Sequence, residues 1–194
     1  MEERYEGRKF RTEFLSHELP EDSRMAEAMD WGARFYKIGL MPPAPGGGHA
    51  GNVSFRNHKG FIITAGGVHK GGLTPKNFVQ ILSCNPDTRK VDAEGELEPS
   101  SETFMHHLVY SDRPDINAII HVHDHLVEKH AGELKIPSTK TVHPYGTLEL
   151  AQEVARSVGK KKFIVIKGHG VLSMGKSLWE AARLILTMHD LAAR

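Results

Sequence analysis

Two histidines that flank a single valine, His121 and His123, carry the clearest chemical signal in the chain. They lie in an apolar, β-branched run from 116 to 124, which predicts a buried strand. Side chains two apart on a strand project to the same face with Cα atoms roughly 6.5 Å apart, so both imidazoles can reach one ion at ~2.0–2.1 Å from each nitrogen. The pair alone is equally compatible with two half-exposed residues of an ordinary strand.

A third ligand would have to come from elsewhere, and His169 is the best candidate. It lies between Gly168 and Gly170, directly after a predicted strand from 163 to 166. The glycines let the backbone turn sharply, although a histidine in such a turn can also be incidental. Three histidine ligands leave a tetrahedral ion with one open position, which is typical of a catalytic site rather than a structural one. His125 shares the strand parity of the pair, and we expect it to be a solvated strand-end residue.

Polar residues at a predicted helix start could supply both an anion site and a carboxylate. Ser100 and Ser101 follow Pro99, and they offer two hydroxyls beside the N–H donors of a helix that is predicted to run to about Asp112. Such a pair also serves as an ordinary helix cap. Glu102 comes next, and its carboxylate would either be favoured by the helix dipole alone or act as a general acid/base near a cation.

Two glycine clusters precede this helix in the chain. The first covers 46–48 and continues to Gly51 and Asn52, and the second is Gly66-Gly67 after a short predicted strand. Neither is a P-loop, because no Gly-Lys-Ser/Thr follows. Each could be a flexible turn, but together with the serine pair they suggest a site for a substrate phosphate.

The remaining pattern mixes helices with short strands, which indicates one α/β domain from 21 to 194 behind an extended N-terminal arm of residues 1–20. Apolar positions at helical spacing predict the helices, and β-branched runs between turn residues predict the strands. Further helices are predicted from 22 or 23 to about 39, from the Thr74-Pro75 start, from 148 to 158 and from 177 to 193, and further strands at 53–56, 60–64 and 81–83.

The overall composition narrows the possible partners and compartment. The 194 residues contain 25 Lys plus Arg against 24 Asp plus Glu, a balance that offers no electrostatic argument for binding nucleic acid or an anionic membrane surface. No run approaches the ~18 apolar residues of a membrane span, and the polar first 20 residues lack the apolar core of a signal peptide. A single cysteine, Cys84, excludes an internal disulfide and a cysteine-based zinc cluster. We therefore expect a cytoplasmic protein.

Taken in order, these motifs resemble the class II aldolase/adducin family. The resemblance covers nearly everything from about Met25 to the C-terminus, but not the N-terminal arm. It rests on segments that come in the family's order with compatible spacing: Gly51-Asn52-Val53-Ser54, Phe61-Ile62-Ile63-Thr64 with Gly66-Gly67, Leu73-Thr74-Pro75, Pro99-Ser100-Ser101-Glu102, His106, Arg113-Pro114-Asp115, His121-Val122-His123 and Gly168-His169-Gly170-Val171.

The resemblance implies a three-layer α/β/α fold with a mixed, largely antiparallel central sheet, assembled as a C4 homotetramer with active sites at subunit interfaces. It implies Zn²⁺ held by His121, His123 and His169, with Co²⁺, Mn²⁺ or Fe²⁺ able to use the same ligands. Glu102 would be the fourth ligand of the resting site and the proton-transfer residue. The loops that would hold the phosphate of a sugar phosphate contain five matching residues: Gly51, Asn52, Gly67, Ser100 and Ser101.

The implied reaction is retro-aldol or aldol chemistry on a ketose phosphate, such as a sugar 1-phosphate, through a zinc-stabilised enediolate. Glu102 favours this lyase reaction, because the related pentulose-phosphate epimerases usually carry aspartate at that position. A departure before His169 counts against it. The segment before His169 is short for the family, and 126–140 contains no tyrosine to match the one that protonates the aldehyde oxygen in fuculose-phosphate-type aldolases. Tyr145 lies downstream and could line the site without having that role.

Three other functions stay open at this point. The same metal site could epimerise or dehydrate a sugar phosphate. The chain could instead be an adducin-like, non-catalytic binding module, although a module that only binds has no physical need of an open metal site. The histidines could also be incidental to a plain α/β domain, which would purify without metal.

Overall fold

The computed structural model describes residues 9–194, and its centre is one eight-stranded sheet. In chain order the strands are β1 (Arg11–Ser16), β2 (Asn52–Asn57), β3 (Gly60–Thr64), β4 (Phe78–Asn85), β5 (Lys90–Glu94), β6 (Ala118–Val122), β7 (Phe163–Ile166) and β8 (Gly170–Gly175). The helices are α1 (Arg24–Lys37), α2 (Thr103–Asp112), α3 (His125–His130), α4 (Leu148–Val158) and α5 (Leu178–Ala192). None of the helices found in 9–194 has the length and apolar character of a membrane span.

The sheet is mixed, with one parallel pairing at its edge. Across it the strand order is β1-β5-β4-β3-β2-β6-β8-β7. Among the described strands, β1 and β5 run parallel, and the other six neighbouring pairs are antiparallel. The predicted mixed, largely antiparallel sheet is therefore confirmed.

Helices cover both faces of this sheet, which makes the three-layer α/β/α arrangement that the family resemblance implies. One apolar core combines side chains of α1, α3 and α5 with Ile120 and Val122 of β6. A second core combines side chains of α2 and α4 with Ile119 of the same strand. Adjacent residues of β6 thus face opposite layers, as the two-residue period of a strand requires. His121 shares the parity of Ile119, so it projects towards the layer that contains α2.

The segment after β6 differs from the prediction. The strand predicted for 116–124 spans only Ala118–Val122, because the Asp124 side chain accepts a hydrogen bond from the backbone N–H of Val127 (3.0 Å) and starts α3. His125 therefore begins a helix instead of ending a strand. Its side chain is 78% exposed, in agreement with the solvation expected from the sequence.

The N-terminal arm contributes a strand that the sequence does not predict. Arg11–Ser16 forms the parallel edge strand β1, and Phe10 beside it packs edge-on against Phe104 at a ring-centroid distance of 5.2 Å. The side chains of this strand are half-buried or exposed. Its sequence therefore lacks the regular alternation of apolar residues by which a strand is predicted. Residues 1–8 of the predicted arm lie outside the described part of the chain.

The region after β3 is less helical than predicted. The Thr74-Pro75 start produces a single 3₁₀ turn, Pro75–Asn77, because the Asn77 side chain accepts the backbone N–H of Thr74 at 2.8 Å and the next residue already begins β4. The strand predicted at 81–83 is the middle of this longer β4. Strands β5 and β8 also have no counterpart among the predicted elements.

Candidate metal centre and active site

Three histidines from two adjacent strand ends meet in this structure. His121 is in β6, His123 follows the last residue of β6, and His169 lies in the turn between β7 and β8. Their ring centroids are 4.7–4.9 Å apart, and one potential ligand atom from each lies within 4.8 Å of the other two. The β6–β8 pairing, which aligns His121 with Leu172, brings the turn to this position. The structure thus brings together the three histidines that the sequence proposes as ligands.

The glycines on either side of His169 allow the turn in two different ways. Gly168 has φ of +73°, a left-handed conformation that glycine adopts without strain. A Cβ atom at Gly170 would lie 2.4 Å from the carbonyl oxygen of Val122 and 3.2 Å from Cε1 of His121. Only a residue without a side chain therefore lets the turn approach β6 this closely.

The protonation of the histidines fits a divalent cation. Nδ1 of His121 lies 2.9 Å from the carbonyl oxygen of Val171, and because a carbonyl can only accept, Nδ1 carries the proton. Nε2 is then the nitrogen that a cation would use, and Oε2 of Glu102 lies 3.4 Å from it. Burial, followed by the neighbouring His121 and His169, lowers the pKa of His123 to about 2, which keeps this ring neutral. Neutral imidazoles at this spacing are suitable ligands for an ion such as Zn²⁺.

Glu102 lies against the histidines with its carboxylate buried. Oε1 is 2.8 Å from Nε2 of His169, and Oε2 accepts a hydrogen bond of 2.7 Å from the side-chain amide of Asn52. Burial by itself raises the pKa of this carboxyl, but His121 and then His169 lower it well below its ordinary value. The group is therefore an ionised carboxylate that faces the same three rings.

Asn52 and Ser100 hold Glu102 in place. The Asn52 amide also donates to Ser100 Oγ at 3.1 Å, and Ser100 Oγ accepts the backbone N–H of Glu102 at 3.3 Å. Asn52 is the register partner of His121 in the β2–β6 ladder. The pairing of the two strands therefore places the Asn52 side chain beside the histidine cluster. Helix α2 begins one residue after Glu102, and both serines therefore precede the helix instead of forming its first turn.

A buried histidine supports the helix that follows Glu102. His106 lies one helical turn after it, with Nδ1 2.7 Å from Ser54 Oγ, and the same oxygen is 2.8 Å from the Tyr110 hydroxyl. Burial lowers the pKa of His106 to about 3, so this ring is neutral. The network ties α2 to β2, the strand that carries Asn52.

All but one of the predicted site residues line one cavity. Its wall contains Gly51, Asn52, Gly67, Ser100, Ser101, Glu102, His123 and His169. His121 is fully buried and is not part of the wall. Tyr145 also lines the cavity, with its ring stacked on that of His169 at a centroid distance of 6.4 Å. Two further wall residues, His49 and Lys70, have no assignment from the sequence.

The two glycine clusters meet backbone to backbone at the edge of this cavity. Gly48 has φ of +66°, and a Cβ atom there would lie 2.2 Å from the carbonyl carbon of Gly67. The backbone N–H of His49 donates to the carbonyl oxygen of Val68 at 3.1 Å and links the same two loops. The clusters are therefore packed against each other and are not merely flexible turns.

Replacing Gly48 with alanine is expected to destabilise the protein by roughly 2–4 kcal/mol, because the left-handed backbone and the clash with Gly67 both oppose a Cβ atom. Gly47→Ala is the matched control, since Gly47 also has a positive φ (+92°) but a Cβ atom there would meet nothing within 4 Å. Denaturant unfolding of both variants measures the difference. Equal losses would show that the contact between the loops contributes nothing.

Comparisons with known proteins identify the family. The sequence pattern described as "Class II Aldolase and Adducin N-terminal domain" matches residues 30–194. The methylthioribulose-1-phosphate dehydratase of Leptospira biflexa is 33% identical over 177 residues, spanning 73% of this chain and 84% of the relative. The L-fuculose phosphate aldolase of Escherichia coli (strain K12) is 34% identical over 155 residues, spanning 69% and 68%. The solved structure of L-fuculose-1-phosphate aldolase from Thermus thermophilus is similar with a TM-score of 0.66 and 26% identity, covering 87% of this chain and 91% of that one.

The chain therefore belongs to the class II aldolase/adducin family, as its motifs predict. It is an enzyme of the class II aldolase superfamily. The members of this superfamily that are similar to the chain include aldolases and a dehydratase. Class II aldolases depend on a metal, and His121, His123 and His169 form a group that could hold one.

Proposed function

We propose that this chain is a metal-dependent lyase that cleaves, or in reverse joins, the carbon skeleton of a ketose phosphate such as a sugar 1-phosphate. The observation that carries the proposal is the contact of Glu102 with the histidine cluster, inside a cavity walled by glycine and serine loops. Such a site offers ligands for a cation, a proton-transfer group and donors for an anion, which are the parts that aldol chemistry on a phosphorylated sugar requires.

We expect the resident ion to be Zn²⁺, held by His121, His123 and His169 with Glu102 as the fourth ligand, although Co²⁺, Mn²⁺ or Fe²⁺ suits the same donor set. When bound, the ion supplies Lewis acidity that withdraws electron density from the substrate carbonyl. The ionised carboxylate and the neutral His123 suit this role, because neither has to lose a proton before it can act as a ligand.

We assign proton transfer at the reacting carbon to Glu102. Its carboxylate is ionised. The Asn52 amide donates a hydrogen bond to Oε2 and so fixes the orientation of the carboxylate in the cavity. It can therefore remove a proton from the reacting carbon when the bond is joined. In the cleavage direction it first takes up the proton that the substrate hydroxyl loses, and it then delivers a proton to the carbon of the cleaved fragment.

We assign the substrate phosphate to the loops of the cavity wall. The residues concerned are Gly51, Asn52, Gly67, Ser100 and Ser101. Hydroxyls and backbone N–H groups are suitable donors for phosphate oxygens. Because the side chains of Asn52 and Ser100 also contact Glu102, they would connect the phosphate end of the substrate to the reacting end. Binding energy at the phosphate then helps to position the bond that breaks.

Dehydration of a sugar phosphate on the same site is the second candidate. The relative that is 33% identical is named methylthioribulose-1-phosphate dehydratase, and segment 126–140 contains no tyrosine. Loss of water next to a carbonyl also needs a base at the neighbouring carbon, so Glu102 would serve this reaction as well. Epimerisation is a third possibility on the same residues.

We also propose a homotetramer with active sites at subunit interfaces and a cytoplasmic location. The family resemblance supports the assembly, and the single Cys84 supports a reducing compartment. Sedimentation of the purified protein tests the assembly, and a monomer with full activity would contradict it.

A panel of ketose 1-phosphates, including methylthioribulose 1-phosphate, distinguishes the candidate reactions. Mass spectrometry separates aldol cleavage, which releases dihydroxyacetone phosphate, from dehydration, which removes one water from an intact carbon skeleton. We expect release of dihydroxyacetone phosphate that stops when a chelator removes the metal. Absence of release from every substrate, by protein that still contains its metal, would overturn the aldolase proposal in favour of dehydration or epimerisation.

A further inference from the structure

Lys70 is a buried lysine in the wall of the cavity, and the function proposed above gives it no role. It follows the Gly66-Gly67 pair by three residues and begins a single 3₁₀ turn, Lys70–Gly72. The residue is 1% exposed, and Nζ donates a hydrogen bond of 3.1 Å to the carbonyl oxygen of Ala65. Ala65 and both glycines line the same cavity.

This ammonium group lacks a carboxylate partner. Within the described part of the chain, no Asp or Glu oxygen lies within 4.0 Å of its Nζ. Burial lowers the pKa of Lys70 to about 7, although the charge of Glu102 acts in the opposite direction. A buried cation without a counter-charge is costly, and an anion that enters the cavity would reduce that cost.

Lys70 is the cationic side chain that the described wall of the cavity offers to an anion. Among the described residues that line the cavity, Lys70 is the single Lys or Arg, and Glu102 is the single carboxylate. His49 lines the cavity too, and its ring lies 4.5 Å from that of His69, centroid to centroid. Burial lowers the pKa of His49, and the charges of His69 and Lys70 lower it further. The charge of Lys70 therefore acts on another residue of the cavity wall.

We propose that Lys70 binds the phosphate of the substrate and makes the site selective for phosphorylated over free sugars. Its hydrogen bond to Ala65 uses one of three N–H donors, and the other two remain for phosphate oxygens. The neighbouring Gly66-Gly67 loop belongs to the same wall, so the charge lies beside the loop to which the phosphate is assigned. The identity of the anion as a sugar phosphate rests on the proposed function, whereas anion binding itself can be measured without turnover.

A purely structural role for Lys70 leads to a different expectation for stability. Methionine has a similar length and no charge, so Lys70→Met removes both the Ala65 hydrogen bond and the buried charge. If the residue served stability, this variant would melt at a lower temperature than the wild type. If it serves the anion, the variant keeps or raises the melting temperature, because an isolated buried charge is replaced by an apolar side chain.

Calorimetric titration of the purified protein with inorganic phosphate, and separately with sulfate, tests the proposal. We expect Lys70→Met to weaken phosphate binding by about 10- to 100-fold, the loss associated with a charge-assisted contact. Lys70→Gln, which keeps a donor for Ala65 without the charge, should weaken it similarly, and Lys70→Arg should retain part of it. Lys76→Met is the control, because the Lys76 side chain is 66% exposed and pairs with Glu96 at 3.3 Å, away from the cavity wall.

Phosphate binding that is equally tight in the wild type, Lys70→Met and Lys70→Gln would overturn the proposal, and so would a wild type that binds no phosphate. A lower melting temperature in both uncharged variants, with unchanged phosphate affinity, would assign Lys70 to stability instead. The proposed function fails separately. Phosphate binding that depends on Lys70, in a protein that turns over no ketose phosphate, would support the anion site and count against the lyase.

Discussion

Substitution of Glu102 with glutamine is expected to lower kcat for the ketose-phosphate reaction by about 100- to 10,000-fold, the range associated with a general acid/base. The amide has nearly the same shape, so contacts with Asn52 and His169 can be kept in part, but it cannot take up a proton at neutral pH. Steady-state kinetics on a substrate that the wild type cleaves measures the loss. Metal analysis of the same sample then shows whether the histidines still hold the ion.

The matched control for this variant is Glu133→Gln. Glu133 has an 80% exposed side chain that lies 2.9 Å from Nδ1 of His130, so the same chemical change at the surface should leave kcat unchanged. A Glu102→Gln protein that retains its metal and most of its kcat would show that this carboxylate transfers no proton in the rate-limiting chemistry. The same loss of kcat in both variants would point to a general effect on folding.

Local patterns indicate which three histidines meet at this site. Strand parity places His121 and His123 on one face, and the glycines around His169 indicate a tight turn at a strand end. The network around Glu102 depends instead on register, which a single sequence does not contain. Asn52 reaches Glu102 because β2 pairs with β6 in the alignment that places Asn52 opposite His121.

Predicted elements failed where a strand lies at an edge or comes directly after a turn. β1 has one neighbouring strand, and its exposed and half-buried side chains lack the apolar alternation by which strands are recognised. β8 is buried at every position, so its sequence has no alternation of apolar and polar residues. It also begins one residue after His169, so the sequence does not separate it from the turn. In both cases the pairing partner, not the local sequence, determines the strand.

Lys70 shows a different limit of sequence reasoning. A lysine is expected in solvent, and nothing in its own chemistry signals that it is 1% exposed. Its position three residues after Gly66-Gly67 was the available hint, because a cation beside a glycine loop is a common arrangement for phosphate. The sequence offers Tyr145 as a residue that could line the site, but its stacking on His169 depends on how the segment before α4 folds back over the sheet.

Substitution of His169 with alanine is expected to lower metal affinity by more than about 100-fold, since loss of an outer partner of a ligand already costs 10- to 100-fold. The variant should therefore purify with little metal and have the activity of chelator-treated wild type. Its melting temperature should no longer respond to a chelator, because an ion that binds the folded state stabilises it and its removal lowers the melting temperature of the wild type alone. This readout does not require turnover.

His125→Ala provides the control for the loss of a histidine near the site. His125 begins α3 two residues after His123, and its side chain is 78% exposed. This variant should keep its metal, its activity and the chelator-dependent shift in melting temperature. If His169→Ala retained one ion per chain and the same shift, the ion would not be held by the three-histidine cluster. Loss of the ion in His125→Ala, with retention in His169→Ala, would place the metal at the start of α3, where the carboxylate of Glu102 could not serve the reaction.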